Sequence, residues 1–239
     1  MSDRVVIHAL YRASLTAVKS LKGRPLPLQP SIKGSDWGKF QRLTEQQLDA
    51  ERSAVFPWAS ASDASSFGVI EANALLRLVR RRFRDSTKDV DAAINDGFAA
   101  LRNFGELFEQ LETSSTATTN GVRVHAVSKF LGVSDESGTH VFAYRIRIAN
   151  TDRNVQLRSR HWIIEDERGG SVVVPKGSPG VVGQTPRLVK GAQFEYVSGT
   201  ELAAPRGFIK GSFEFVTDDG QTFDALVGPF SLVAPDRTH

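Results

Sequence analysis

Five arginines, Arg77, Arg80, Arg81, Arg82 and Arg84, stand within eight residues with no acidic residue between them. On a helix they cannot all share a face, but Arg77, Arg80, Arg81 and Arg84 follow the i, i+3, i+4, i+7 spacing that aligns side chains in one stripe. A guanidinium presents a planar fork of donors that matches carboxylates and phosphates, and such a stripe supplies steering and register more than raw affinity. The chemistry this fits is capture of an acidic partner. The plainer alternative is a solvated helix face, or pairing with Asp85, Asp89, Asp91 and Asp96 of the same chain.

Three other groupings bear on chemistry. Gly177, Gly180 and Gly183 form a glycine-rich stretch, which would hold a pyrophosphate if its amides opened a helix. The residues that follow, Gln184-Thr-Pro186 and the alternating Phe194 and Tyr196, lack a helical pattern, so turn formation is favoured and small-ligand or pyrophosphate binding is the alternative. Ser159 and His161 would share a strand face like a nucleophile and its base, yet no acid at a defined motif orients the histidine. No catalytic residue is assigned and no enzyme is expected. The histidines, His8, His125, His140, His161 and His239, show no metal-ligand spacing, and cysteine is absent, so neither a metal site nor a disulfide is expected.

Two kinds of element must position these residues. Apolar positions recur every three or four residues from 3 to 22, from 69 to 84, and from Val90 through Ile94, Phe98 and Leu101 to Leu111, which predicts three helices. Ser86-Thr-Lys-Asp89 resembles a capping box at the start of the third. The intervening stretch 23–68 reads as a long insertion with one short helical piece from Thr44 to Val55. Residues 113–121, TSSTATTNG, read as a flexible linker. Beyond them the period becomes two: Val122, Val124 and Ala126, then Phe142, Tyr144, Ile146 and Ile148, with further strands at 156–165, 171–174, 192–197, 207–216 and 221–232. The fold class is thus α+β in two domains, a helical domain at 1–112 and an antiparallel sandwich at 122–239.

Composition is that of a folded chain, 40% hydrophobic and 24% charged, with a net charge of +3 that does not by itself indicate nucleic-acid binding. No apolar run is long enough for a membrane span, and none is expected. The first 35 residues carry Arg4, Arg12, Lys19, Lys22, Arg24 and Lys33 against Asp3 alone, which suits either an uncleaved mitochondrial address or a solvated helix face.

Leu10-Tyr11-Arg12, taken with LLRLVRRRFRDSTKDVDAAINDGFAALRNFGEL from Leu75 to Leu107, resembles the LYR-motif (complex 1 LYR-like) family, although the insertion after the first helix is longer than that family's. The resemblance implies a three-helix bundle of the mitochondrial matrix that binds acylated mitochondrial acyl carrier protein. It would place Tyr11, Arg12, Arg77, Arg80, Arg81 and Arg84 against the carrier. Leu10, Leu75, Val79, Phe83, Ile94, Phe98 and Leu101 would line a channel for the acyl chain borne on the carrier's 4′-phosphopantetheine. No cofactor of the protein's own is implied.

From Gly121 onward, HVFAYRIRIANTDRNVQLRSRHWIIED, PGVVGQTPRLVKGAQFEYVSGTEL and PRGFIKGSFEF resemble the ApaG domain, which implies an immunoglobulin-like or fibronectin-III-like β-sandwich. That family's G-x-G-x-x-G loop has its counterpart in Gly177 to Gly183, with one extra residue before the final G-x-x-G. Together the two resemblances imply a non-catalytic adaptor that captures the carrier with its helices. Its sandwich would dock on a large mitochondrial complex, a mitoribosome or a respiratory-chain assembly, and the basic pI of 9.3 leaves a contact with ribosomal RNA open.

Overall fold

Apolar residues three and four apart near the start of the chain form helix α1 (Asp3–Ser20), which buries Leu10, Ser14 and Val18. The computed structural model describes residues 3–56, 59–64, 68–85 and 89–236. Within it, contacts divide the chain into two units, residues 1–31 with 44–111 and residues 32–43 with 112–239.

Among the described residues the first unit holds four α-helices, the three long ones expected and the short piece expected inside the insertion. Helix α2 (Glu45–Val55) lies inside the insertion and is started by a capping box, in which the Gln47 amide donates to Thr44 Oγ1 at 3.2 Å and the Thr44 amide donates to Gln47 Oε1 at 2.9 Å. Helices α3 (Ala72–Asp85) and α4 (Val90–Glu112) follow. Helix α4 is capped by Asp89, whose side chain accepts the Ala92 amide at 2.9 Å. The cap expected from Ser86 lies outside the described residues. Two short strands, β1 (Leu26–Pro27) and β3 (Val69–Ile70), pair antiparallel. Around them Val18, Leu21, Phe56, Leu75, Val79 and Phe104 make the core of this unit.

The second unit is two antiparallel sheets. One runs in the order β2 (Phe40–Leu43), β10 (Gln193–Leu202), β6 (His140–Asn150), β5 (Val122–Val133), β4 (Ser114–Thr119). The other runs β12 (Thr222–Val233), β11 (Arg206–Thr217), β7 (Val155–Asp166), β8 (Ser171–Pro179), with β9 (Arg187–Leu188) also paired to β7. Phe142, Tyr144, Ile146 and Ile148 of β6 meet Trp162, Phe213 and Phe230 from the other sheet in one core, with the Trp162 and Phe213 rings edge-on at 5.3 Å.

Two readings of the sequence are corrected here. Residues 113–121 are not a linker: Ser114 to Thr119 pair with β5, and Asn120 (φ 47°) and Gly121 (φ 77°) form the two-residue turn between the strands. Positive φ at both central turn positions matches the twist of a hairpin, and Asn-Gly tolerates it best. Serine and threonine lack an apolar signature, but an edge strand needs little of one. Here Ser115 Oγ donates to the Gly228 carbonyl at 2.6 Å.

The second correction concerns the insertion 23–68, which does not belong wholly to the helices. Its residues 32–43 join the sandwich, where Phe40, Gln41, Arg42 and Leu43 pair with Tyr196, Glu195, Phe194 and Gln193. Just before β2, Trp37 lies where a Cβ at Gly199 would come within 2.0 Å of its ring, so only glycine permits that approach.

On the β6 and β10 residues that alternate with the core positions, polar groups are buried. Arg147 Nη2 donates to Glu195 Oε2 at 2.6 Å, and Arg145 Nε stands 3.6 Å from the same oxygen. Nearby on β5, His125 Nδ1 is 2.9 Å from Thr116 Oγ1. Burial, and then the charges of Arg147, Arg123 and Arg145, push the His125 imidazole down from 6.5 to about 3. The folded chain therefore holds this ring neutral while the unfolded chain protonates it. The stability it contributes is whole above pH 6.5 and is lost as the pH falls from 6.5 towards 3. Urea unfolding is expected to show a loss of about 2 kcal/mol between pH 7 and pH 5. His125→Gln should flatten that part of the curve, and an equal loss in the variant would assign the effect to other groups.

Candidate functional site

Helices α1 and α3 present one face each to a shared cleft. On α1, Ile7, His8 and Tyr11 lie within one turn, and on α3, Arg80, Phe83 and Arg84 follow i, i+3, i+4. These six side chains line a cleft of about 290 Å³. Its apolar part is Ile7 with the Tyr11 and Phe83 rings, the two rings 5.5 Å apart and tilted by 48°. Its polar part is the Arg80 and Arg84 guanidiniums and the His8 imidazole.

The arginine stripe divides by what each member touches. Arg81 Nη2 donates to Asp63 Oδ2 at 2.9 Å, and Arg82 is tied to Asp96 through Nε at 3.1 Å. Arg77, Arg80 and Arg84 are exposed, and among the described residues none of them has an ion-pair partner. Of the acids the sequence offered as partners, Asp96 takes Arg82, which is off the stripe, while Arg81 pairs with Asp63 instead. The other three members of the stripe are exposed, as the plainer reading of a solvated helix face also has them, and two of them line the cleft. Of the residues expected to meet a carrier, Tyr11, Arg80 and Arg84 line this cleft, while Arg12 and Arg77 are exposed outside its lining.

The seven residues expected to line an acyl channel do not share one environment. Leu10, Leu75 and Val79 are buried, at 4%, 0% and 0% exposure, and Leu75 and Val79 belong to the core cluster of the helical unit. Phe83, Ile94 and Leu101 are half-buried, and Phe98 is 54% exposed. At Gly97 of α4 the approach to α1 is close, since a Cβ there would stand 2.9 Å from Leu10 Cδ1. Phe83 alone of the seven lines the cleft. Phe98 is therefore corrected to a surface residue, because its place on α4 turns it from the apolar face that Ala93, Gly97, Ala100 and Phe104 bury.

The glycine-rich stretch is a turn. Val181 and Gln184 exchange backbone hydrogen bonds at 2.8 and 2.7 Å, and Val182 (φ 42°) and Gly183 (φ 75°) are the two residues between them. The Gly180 amide donates to the Arg158 carbonyl at 3.0 Å, and a Cβ there would meet the Gln184 carbonyl oxygen at 2.4 Å. The amides of residues 180, 181 and 184 are thus spent on carbonyls, and no helix follows the loop. Gly177 (φ 88°) turns the chain in the same stretch. A pyrophosphate reading needs those amides free and a helix behind them. Ser159, for its part, donates to Glu214 Oε2 at 2.9 Å.

Sequence reasoning passed over Ile7, His8 and Asp63. The first two were legible as the residues four and three positions before Tyr11 on the same helix, whereas the Asp63 contact joins residues 18 apart through a short 3₁₀ turn (Ala61–Asp63) that carries no apolar pattern. Among the described residues, no group of three or more His, Asp or Glu is placed to hold a metal ion, and no helix is long and apolar enough to cross a membrane.

Comparison with known proteins bears on the second unit. The family model described as ApaG domain matches residues 132–217. Protein ApaG of Anaeromyxobacter dehalogenans is 44% identical over 122 residues, which is 51% of this chain and 96% of the relative. The chain belongs to the ApaG family. Protein ApaG of Azorhizobium caulinodans is 38% identical over 122 residues, covering 50% of this chain and 92% of the relative. A crystal structure of a Bordetella pertussis protein given the name ApaA is 36% identical, with a TM-score of 0.45, and covers 49% of this chain and 95% of that one. The ApaG match contains the glycine turn and the buried Arg147–Glu195 pair, and the basic cleft of α1 and α3 lies outside it.

Proposed function

We propose that the protein is a non-catalytic adaptor of the mitochondrial matrix whose α1–α3 cleft captures acylated acyl carrier protein, and whose ApaG domain docks on a large assembly, a mitoribosome or a respiratory-chain complex. The observation that carries the reading is the pair of Arg80 and Arg84, without ion-pair partners among the described residues and set in one cleft beside the Tyr11 and Phe83 rings. An acyl carrier protein offers a matching set of groups. Its acidic surface and the phosphate of its prosthetic group suit guanidiniums, and the apolar chain beyond that phosphate suits the ring pair.

The protein needs no cofactor of its own in this reading, because the 4′-phosphopantetheine acyl chain belongs to the partner. Each methylene that leaves water contributes about 0.8 kcal/mol.

Co-expression with mitochondrial acyl carrier protein tests this. The full chain should co-purify with acylated carrier, and mass spectrometry should find the acyl group on it. Retention of delipidated carrier as strong as that of the acylated form, or of neither, would remove the basis for the reading.

A further inference from the structure

The Asp63–Arg81 pair sits on the same basic face as the cleft but takes one guanidinium out of it. Asp63 is the more enclosed partner, with its side chain 15% exposed against 55% for Arg81. It is also held from behind: the Ser60 amide donates to its Oδ2 at 2.8 Å and the Ser60 hydroxyl donates to the same oxygen at 2.6 Å. Burial pushes the Asp63 carboxyl up, but the hydrogen bonds from Ser60 and the Arg81 guanidinium outweigh it and hold the group below the usual carboxylate range. A braced carboxylate thus faces a largely exposed guanidinium that follows Arg77 and Arg80 and precedes Arg84 in one stripe.

We propose that Asp63 is a specificity-determining counter-ion, which holds Arg81 away from weakly acidic partners and yields it to a partner acidic enough to compete. This rests on the reading of the basic cleft as a capture site for an acidic carrier. An ion pair as exposed as this one contributes little, so a second carboxylate or phosphate of equal reach displaces Asp63 at small cost. The partner then meets four guanidiniums instead of three. A partner with fewer charges meets three, with an acid beside them that repels it.

The test is a mutant cycle on the full chain, with acylated acyl carrier protein as the probe and binding followed by calorimetry. Asp63→Asn should tighten binding by about two- to fivefold, because Arg81 is then released in advance. Arg81→Gln should change the affinity of the wild type less than about twofold, yet cancel the gain when it is added to Asp63→Asn. Ser60→Ala removes the hydroxyl that braces Asp63 while keeping its charge, and should leave affinity unchanged.

Equal effects of Arg81→Gln in both backgrounds, or weaker binding in Asp63→Asn, would overturn the assignment while the capture reading stood. Should Asp63→Asn fail to fold, the salt dependence of binding decides alone. Arg81→Gln must then keep the wild-type slope while Arg80→Gln flattens it, and a slope flattened equally by both would overturn the assignment. Absence of carrier binding to any of these chains would sink the capture reading and this inference together.

Discussion

Arg80→Glu combined with Arg84→Glu is expected to lower the affinity for acylated acyl carrier protein by about a hundredfold or more, with the sandwich unfolding at the wild-type temperature. Both residues are exposed, line the same cleft, and have no ion-pair partner among the described residues, so reversing them costs the folded chain little. In a complex, each reversal removes an attractive pair and adds a repulsive one, and truncating one member of an interfacial charge pair already costs about 2 kcal/mol or more. Two such losses, adding to about 4 kcal/mol, correspond to roughly a thousandfold in Kd, so the hundredfold is a lower bound that leaves room for incomplete additivity.

Arg81→Glu with Arg82→Glu is the informative contrast, since Arg81 and Arg82 pair with Asp63 and Asp96 within the helical unit. That double change should destabilise the helices, which circular dichroism would register, and it should weaken capture less than the first pair does. Full carrier binding by the Arg80/Arg84 variant would move the interface off this face.

The second large effect is expected inside the sandwich. Glu195 is 5% exposed and faces Arg147 and Arg145, which are 5% and 6% exposed. Its other oxygen accepts from Gln41 Nε2 at 3.3 Å, so the same carboxylate also ties strand β2 to β10. Removing one member of a buried ion pair costs about 3 to 5 kcal/mol, because the remaining charge keeps its desolvation penalty and loses its counter-charge. Glu195→Ala should therefore remove a large part of the 5 to 15 kcal/mol that is usual for a domain. Chemical denaturation would measure it. Glu195→Gln, which keeps the shape and one acceptor, should still cost more than about 1 kcal/mol, and a change within 0.5 kcal/mol would show that the carboxylate charge contributes nothing there.

The strands of the ApaG domain were legible where large apolar residues alternate with small or polar ones. Phe142, Tyr144, Ile146 and Ile148 of β6 all lie in the core between the sheets, whereas the alternate positions, though buried too, carry Ala143, Arg145, Arg147 and Ala149, so the period of two comes from which face meets the other sheet. Strand β4 escaped that logic. Its six residues are serines, threonines and one alanine at a sheet edge, and their partners lie on β5 and β12, with the Leu226 amide donating to Thr119 Oγ1 at 3.2 Å. The Asn120-Gly121 turn was nonetheless written in the chain, and read as a hairpin signal it would have revealed the strand before it.

The candidate site divides in the same way. Spacing alone placed Tyr11 on one helix and Arg80, Phe83 and Arg84 on another, because helical geometry is local. Which arginines remain available was not local. Arg81 and Arg82 are satisfied by acids 18 and 14 residues away, and Phe98 was assigned to the interior by a hydrophobicity that its helix turns towards solvent.

By itself, then, the order of residues determined the helices of the first unit, the alternating strands of the second, and the concentration of positive charge on α3. All of these depend on neighbours a few positions apart. Only the tertiary structure decided that residues 32–43 complete a sheet with β10, that the glycine stretch closes on itself as a turn, and that Arg80 and Arg84 share a cleft with Tyr11. Hydrogen bonds and ion pairs between distant residues are chosen by which surfaces burial brings together, and no local period records that choice.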